Sequence, residues 1–463
     1  MKKVLSGIIL ILSASLLKAA EAPTREENLA WSADRDTARQ AEYAGNEDIL
    51  LRPGLVADRK SRTVVIDAEA TGINPNEPVE FFIIGINSGH DYEAIAVAFA
   101  CPGDVRQALE FIGLPPGRPV DFEKLYFWPK GERVLLTVDS DDEAVPLKNV
   151  PLEKLVFDKR IDAPMRTNGM VFTGSVYLEE DGERKLAAAT REPHSIAASY
   201  NEQESLLDVP MQAQQGSVYK YHHSNPAFPL RTGQRLVVTM RPERPLTALP
   251  RVLDIKLQIK PANHETPAQS PGDVVFLQQF ADADEHNLQP LTLNGWLEQI
   301  AAWNKAQRDP FVTVSFHPGL PLKTVRELSR LLNSINSPQG IRVEPPPAGH
   351  LHFQAFLTDE RLADRNQRNV QPPELHVARV ESGLQASLTL ITETWHENQL
   401  RPELSFEEVT LSTPKDLRQA LERANPRLPV LLIYAADNIT YGDILPYIGT
   451  ASSSHHLIHV FFK

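Results

Sequence analysis

Between Val56 and Pro242 the apolar residues come in short runs, separated by clusters of Gly, Pro, Asn and Asp. That rhythm predicts β-strands over 61–70, 79–86, 93–100, 132–139, 152–158, 169–179 and 234–242. One stretch breaks it. In "CPGDVRQALEFIGLPPGRP", Val105, Ala108, Leu109 and Ile112 fall at helical spacing and Gly113 follows them, which predicts a helix over 103–113 closed by a glycine. Ahead of this region, 24–48 is polar, with little periodic apolar content and room for one short helix.

Beyond 274 the chain repeats itself. "DPFVTVSFHPGLPLKTVRELSRLLNSINSPQGIRVE" aligns without a gap on "LPVLLIYAADNITYGDILPYIGTASSSHHLIHVFFK", so that Asp309 matches Leu428. Upstream, "LTLNGWLEQIAAWNKAQRDP" matches "LSTPKDLRQALERANPRLP" with one deletion. Each copy reads as helix, strand, helix, strand. In the second copy Thr413 is placed to cap a helix with Pro414 at its first position; Leu417, Ala420 and Leu421 supply the apolar face, and Asn425 and Pro426 stop it. Val430–Tyr434 is a continuous apolar strand, as a sheet covered by helices requires. Thr440 then caps a second helix, with Asp443 in the capping-box position. The stretch 260–273, "KPANHETPAQSPGD", is polar and Pro-rich and reads as a linker.

Composition adds location rather than chemistry. The 463 residues are 42% hydrophobic, enough for two or three cores, and the 37 prolines mostly punctuate segment edges. Lys2 and Lys3, the apolar run 4–17 and the small residues around Ala19 have the order of a secretory signal peptide, too short for a comfortable membrane span. Cleavage is expected after Ala19, since Pro23 disfavours the later site; an uncleaved anchor is the alternative. Without Lys2, Lys3 and Lys18 the balance is 44 basic to 60 acidic residues, a net charge of −16. No concentrated positive face serves a nucleic acid. Cys101 is the only cysteine, so no internal disulfide forms, and its apolar surroundings predict a buried small side chain.

The segments "HDYEAIAVAFACPGDVRQALEFIGLPPGRPV", "MVFTGSVYL" and "SLLDVP", in that order, resemble the YdjY family of exported domains over roughly 52–245. That family offers no catalytic residues to carry over. The second copy, with its strand ending in an acid and its Y-G-D step into a helix, resembles the periplasmic domain of the ExbD/TolR biopolymer-transport family. The matching positions are Asp437, Thr440, Tyr441 and Gly442, which the resemblance assigns to partner binding. In the first copy Pro318 stands where Asp437 does and "LPLKT" replaces "ITYGD". The family's membrane helix has only a signal peptide in its place here, so the resemblance implies binding rather than proton-driven force transmission.

Candidate chemistry is thin. His455, His456 and His459 could ligate zinc, but no carboxylate or thiolate stands nearby in sequence, and His222-His223 is read as a loop pair. The acidic runs 139–144 and 281–286 lack the glycine and distal glutamate of a calcium loop. Ser175 lacks a nucleophile-elbow frame and His194 has no assignable partner. Neither glycine-rich phosphate loop occurs. Asn438-Ile439-Thr440 is formally a glycosylation triplet and is read as a turn.

The expectation is an α+β chain in six parts: signal peptide 1–19, polar lead-in 20–51, YdjY-like β-rich domain 52–259, linker 260–273, and ExbD/TolR-like copies at 274–348 and 349–463. It is a periplasmic or secreted, non-enzymatic protein with no cofactor and no metal site. Its partner is an envelope protein engaged by strand addition, or peptidoglycan, with membrane contact only if the signal stays attached. A metal-dependent or other hydrolase in the YdjY-like domain, and a cell-wall polysaccharide module, are the other readings.

Overall fold

The computed structural model describes residues 22–245, 250–263, 268–280, 289–396, 401–423 and 428–462. The signal peptide, the acidic run 281–286 and the Asn425-Pro426 stop lie outside them. The chain is mixed α+β and strand-rich. Its first part is a barrel-like, eleven-stranded sheet in which eight strands close on one another: β1 (Thr63–Ala70), β2 (Phe81–Gly85), β3 (Ala94–Ala98), β4 (Arg133–Ser140), β5 (Met170–Phe172), β6 (Ser195–Ala198), β7 (Leu207–Asp208) and β8 (Arg235–Pro242). They follow one another as β1-β8-β4-β5-β7-β6-β2-β3, and β3 pairs back onto β1, so the sheet closes. Alternate residues such as Val64, Ile66, Val134, Leu136, Leu236 and Val238 are fully or almost fully buried, as the two-residue period of a half-covered strand demands.

The helix expected over 103–113 is α2 (Pro102–Phe111), and Gly113 leaves it at φ 90°, a conformation that favours glycine. The run 169–179 is not one strand. It breaks at Gly174 and Ser175, both at positive φ, between β5 and the strand Tyr177–Glu180. The run 152–158 is likewise a 3-10 turn followed by three strand residues.

The polar lead-in is the 18-residue helix α1 (Arg25–Glu42). It has no apolar stripe because charges dock it. Asp67 and Glu69 on β1 are buried and face α1, where Arg39 grips both Asp67 oxygens at 2.8 and 2.9 Å, Ser32 donates to Asp67 at 3.1 Å, and Asn28 and Arg25 reach Glu69 at 2.8 and 2.6 Å. Cys101 is exposed at the start of α2, against the burial its apolar neighbours suggested. A residue that precedes a helix stands outside the apolar face that its neighbours build.

The second part is two five-stranded modules of one topology. The first holds β9 (Val252–Pro261), β10 (Val274–Phe280), β11 (Gln289–Leu291), α3 (Leu293–Lys305), β12 (Asp309–Phe316), α4 (Leu322–Ile335) and β13 (Arg342–Glu344), in sheet order β11-β10-β9-β12-β13. The second holds β14 (Glu374–Val380), β15 (Gly383–Thr394), β16 (Glu403–Leu411), α5 (Asp416–Leu421), β17 (Val430–Ala435), α6 (Tyr441–Ala451) and β18 (Leu457–Phe462), in order β16-β15-β14-β17-β18. The helix-strand-helix-strand unit is therefore preceded in each by a three-stranded meander. β9 runs through the expected domain end at 259, and the stretch read as linker lies between the paired strands β9 and β10. α5 begins at Asp416, whose carboxylate accepts the Thr413 N–H at 2.7 Å, rather than right after Thr413.

Candidate functional site

Of the four residues singled out at 437–442, Thr440, Tyr441 and Gly442 lie where the two modules meet. Leu322 N–H donates to Ile439 O at 2.9 Å, and Tyr441 N–H to Leu320 O at 2.8 Å, around an antiparallel bridge between Pro321 and Thr440. In the 309-to-428 alignment Leu320 matches Ile439, Pro321 matches Thr440 and Leu322 matches Tyr441. Each hydrogen bond is thus the other's counterpart, and the seam has a local two-fold. Tyr441 is fully buried, with its ring edge-on to Phe316 and its hydroxyl accepting the Leu351 N–H at 3.1 Å. Gly442 N–H donates to Pro318 O at 2.7 Å, and a Cβ at Gly442 would stand 2.9 Å from the Pro318 ring. The close approach accounts for the glycine.

Thr440 is half-buried. Its N–H and hydroxyl both donate to Asp443, at 2.8 and 2.9 Å, and Arg379 pairs with the same carboxylate at 2.6 Å. Asp437 is exposed at the end of β17, and Asn438 beside it donates to Arg379 O at 3.0 Å. Tyr441 and Gly442 therefore bind the first module, while Asp437 faces outward.

An open strand edge lies elsewhere in the second module. β14 pairs with β15 from Glu374↔Thr389 to Val380↔Gly383, whereas β16 pairs with β15 along its full length beyond that, to Thr394↔Glu403. Pro372 and Pro373 explain the early stop: proline has no N–H for the ladder, so β14 begins only at Glu374. Residues 390–394 are left with no strand on that side among the described residues. A groove of about 460 Å³ follows the overhang, lined by Leu390, Ile391, Pro373, Val370, Leu428 and Trp395. Trp395 is 60% exposed and Val370 45%. Large apolar side chains on open sheet edges are unusual for a surface with no partner. The signal in the sequence was the proline pair before one alternating run and the tryptophan after the next.

Below this groove Glu374 is buried between Arg365, at 3.0 and 2.6 Å, and Arg368 at 2.8 Å. Burial raises its carboxyl, but hydrogen bonds from His376, Arg365 and Arg368 outweigh that and hold it well below the ordinary range. The first module also buries a carboxylate among arginines, though at another place in the plan: Asp309, which aligns with Leu428, lies among Arg133 of the barrel at 3.0 Å, Arg251 at 2.9 Å and Arg342 at 3.1 Å. There too burial pushes upward and the three arginines win, so the pKa is lowered. Asp309 thereby ties β12 to β4 of the barrel.

A second carboxyl group of interest sits in the barrel. Asp208 on β7 is fully buried with Oδ2 unpartnered, and burial followed by the nearby Glu202 raises its pKa well above the ordinary value. Glu202 is pushed up to about 7, chiefly by burial, although the Tyr200 hydroxyl donates to it at 2.8 Å. Glu80, raised mainly by burial, accepts from Gln215 at 3.0 Å.

The remaining candidates have structural work. His222 and His223 belong to a buried strand, and His222 sits between Arg160 at 2.9 Å and Ser199 at 3.3 Å. The Ser175 hydroxyl donates to Glu204 O and accepts the Ala188 N–H. In the run 139–144, Asp142 accepts the Ala144 and Val145 N–H groups and pairs with Arg231. Among the described residues no group of three or more His, Cys, Asp or Glu is arranged to hold a metal ion.

No curated protein and no solved structure matches the chain. A family match covers 55–219, from the strand before β1 to a short helix after β7; β8, which completes the barrel, lies beyond it. Over residues 55–219 this chain carries a YdjY domain.

Proposed function

We propose that this is an exported, non-enzymatic envelope protein that receives an extended segment of a protein partner at the open edge of β15. The observation that carries the proposal is the five-residue overhang 390–394, left unpaired by Pro372-Pro373 and flanked by an exposed tryptophan. An added strand would satisfy the outward amides and carbonyls and lay alternate side chains into the groove, a mode of binding that needs no catalytic group. Two modules of one topology joined through a Y-G-D step support the finer reading, a double ExbD/TolR-like unit serving as an accessory of such a transport system. Asp437 remains its candidate outward-facing contact.

The test is capture from envelope extract on the immobilised full-length protein, alongside Trp395→Ala and Asp437→Ala. The proposal expects a protein retained by the wild type and reduced several-fold by Trp395→Ala. Retention that is indifferent to Trp395→Ala removes the groove from the account, and retention on peptidoglycan alone favours the cell-wall reading. The hydrolase reading has its best candidate in Glu202 and Asp208. Asp208 is fully buried, so a substrate reaches it only if the segment around 199–208 moves.

A further inference from the structure

A cavity of about 670 Å³, open to solvent, lies between the barrel and the first module. The barrel supplies Arg133 at the start of β4, Arg160, and the segment 165–168 that leads into β5. The module supplies Arg251 just ahead of β9, Asn304 near the end of α3, and Gln339 in the turn before β13. The volume is within the range of small-molecule sites, and the walls are mostly polar.

The whole chain carries a net charge of −13, yet four arginines and only two carboxylates line this cavity. Behind its wall Asp309 and Arg342 add one charge of each sign, so a surplus of two positive charges remains. Two of the arginines have donors to spare. Arg160 commits Nε and Nη2 to Asp158 and His222, while its Nη1 has no hydrogen-bond partner among the described residues and its side chain is 34% exposed. Arg166 is exposed, and its guanidinium has no hydrogen-bond or ion-pair partner among the described residues. Such groups are ready donors for an anion, and because the cavity is open they meet it without first being stripped of water.

The neutral lining decides which anion fits. The side chains of Asn168, Asn304, Gln307 and Gln339 are exposed and have no hydrogen-bond partner among the described residues. Each amide brings a carbonyl that needs a donor as well as an NH2 that needs an acceptor. A plain carboxylate offers those four carbonyls no donor, whereas a sugar hydroxyl both donates and accepts. Ile161, 43% exposed, and Met211 supply the apolar surface on which the C–H face of a ring packs. We propose that this cavity binds an acidic sugar, a polyhydroxylated ring whose carboxylate is received by Arg166 and Arg160. The site is separate from the β15 groove and stands or falls independently of it.

Three ring probes separate the alternatives: glucuronate; glucose, which lacks the charge; and cyclohexanecarboxylate, which lacks the hydroxyls. They are titrated in low-salt buffer into the full-length protein with isotope-labelled methionine methyl groups. Met165 and Met211 line the cavity, while Met240, fully buried in the barrel, is an internal reference. Glucuronate should move the Met165 or Met211 resonance and leave Met240 in place, and it should bind at least several-fold more tightly than either other probe. Arg166→Gln, at an exposed position outside the ion pairs, should keep the fold, weaken glucuronate about 5-fold and leave glucose as it was, the worth of one charge-assisted contact discounted for its exposure. Glucuronate that moves neither cavity methionine, either other probe bound as tightly as glucuronate, or glucuronate binding indifferent to Arg166→Gln overturns the proposal.

Discussion

The two modules share strand order, crossovers and a seam with a local two-fold, yet their outer ends differ. The first is fastened to the barrel: among the described residues β10 pairs with β9 along its whole length, Val274 to Phe280, and Asp309 and Glu344 are clasped by arginines and a lysine that include Arg133, Arg118 and Lys130 of the barrel region. The second is open: its hairpin outruns β14 by five residues, and Trp395 and Phe406 are exposed. One duplicated plan has been used once for docking within the chain and once for an accessible edge. The difference follows from local chemistry, since Arg133 of the barrel reaches Asp309 at the start of β12 in one copy and a proline pair truncates a strand in the other.

The largest expected effect comes from breaking the docking. Asp309→Asn leaves three buried or nearly buried arginines without their carboxylate and should cost about 3–5 kcal/mol in chemical denaturation. A cost below about 1 kcal/mol would mean that the first module is not fastened as described. At the seam, Gly442→Ala drives a methyl group into Pro318 and should cost about 1–3 kcal/mol. A neutral result would show that the modules part easily.

Acidity should separate the modules from the barrel. Asp309 and Glu374 have lowered pKa values, so their contribution is present above the ordinary carboxyl range and is lost as pH falls through the lowered values. Glu202 behaves oppositely. Raised from 4.5 to about 7, it favours the fold at acid pH, and that contribution is lost as pH rises from about 4.5 through about 7. Melts of Glu202→Gln between pH 5 and 8 should therefore show a flatter pH dependence than the wild type, by several degrees. An identical profile would contradict the raised pKa of Glu202.

The smallest effects concern the predicted motif. Thr440→Ala should cost about 0.5–1 kcal/mol, because Asp443 keeps the Thr440 N–H even when the hydroxyl is gone. Asp437→Ala, at an exposed position, should stay within about 0.5 kcal/mol. Thermal melts read both.

Much of the barrel was legible because its strands carry period-two apolar runs, and α2 because its apolar residues follow helical spacing. α1 was understated since its buried contacts are polar: Asn28, Ser32 and Arg39 make no hydrophobic stripe. β9 was assigned to the wrong neighbour because Ile255, Leu257 and Ile259 announce a strand but not which sheet it joins. The repeat gave the paired crossovers correctly and left out the meanders, whose alternation in "GLQASLTLITET" was readable. The motif at 437–442 pointed to an interface. Local pattern could not tell that Tyr441 and Gly442 meet another part of the same chain.

The claim that the open edge of β15 accepts a strand is tested most directly by amide hydrogen exchange of the full-length protein, free and bound to a captured partner. Strand addition turns outward amides of the ladder into hydrogen-bonded ones, so exchange within 390–394 should slow by at least tenfold while the matching strand of the first module, β10 at 274–280, stays unchanged. Tight partner binding that leaves 390–394 exchanging as in the free protein would contradict the account.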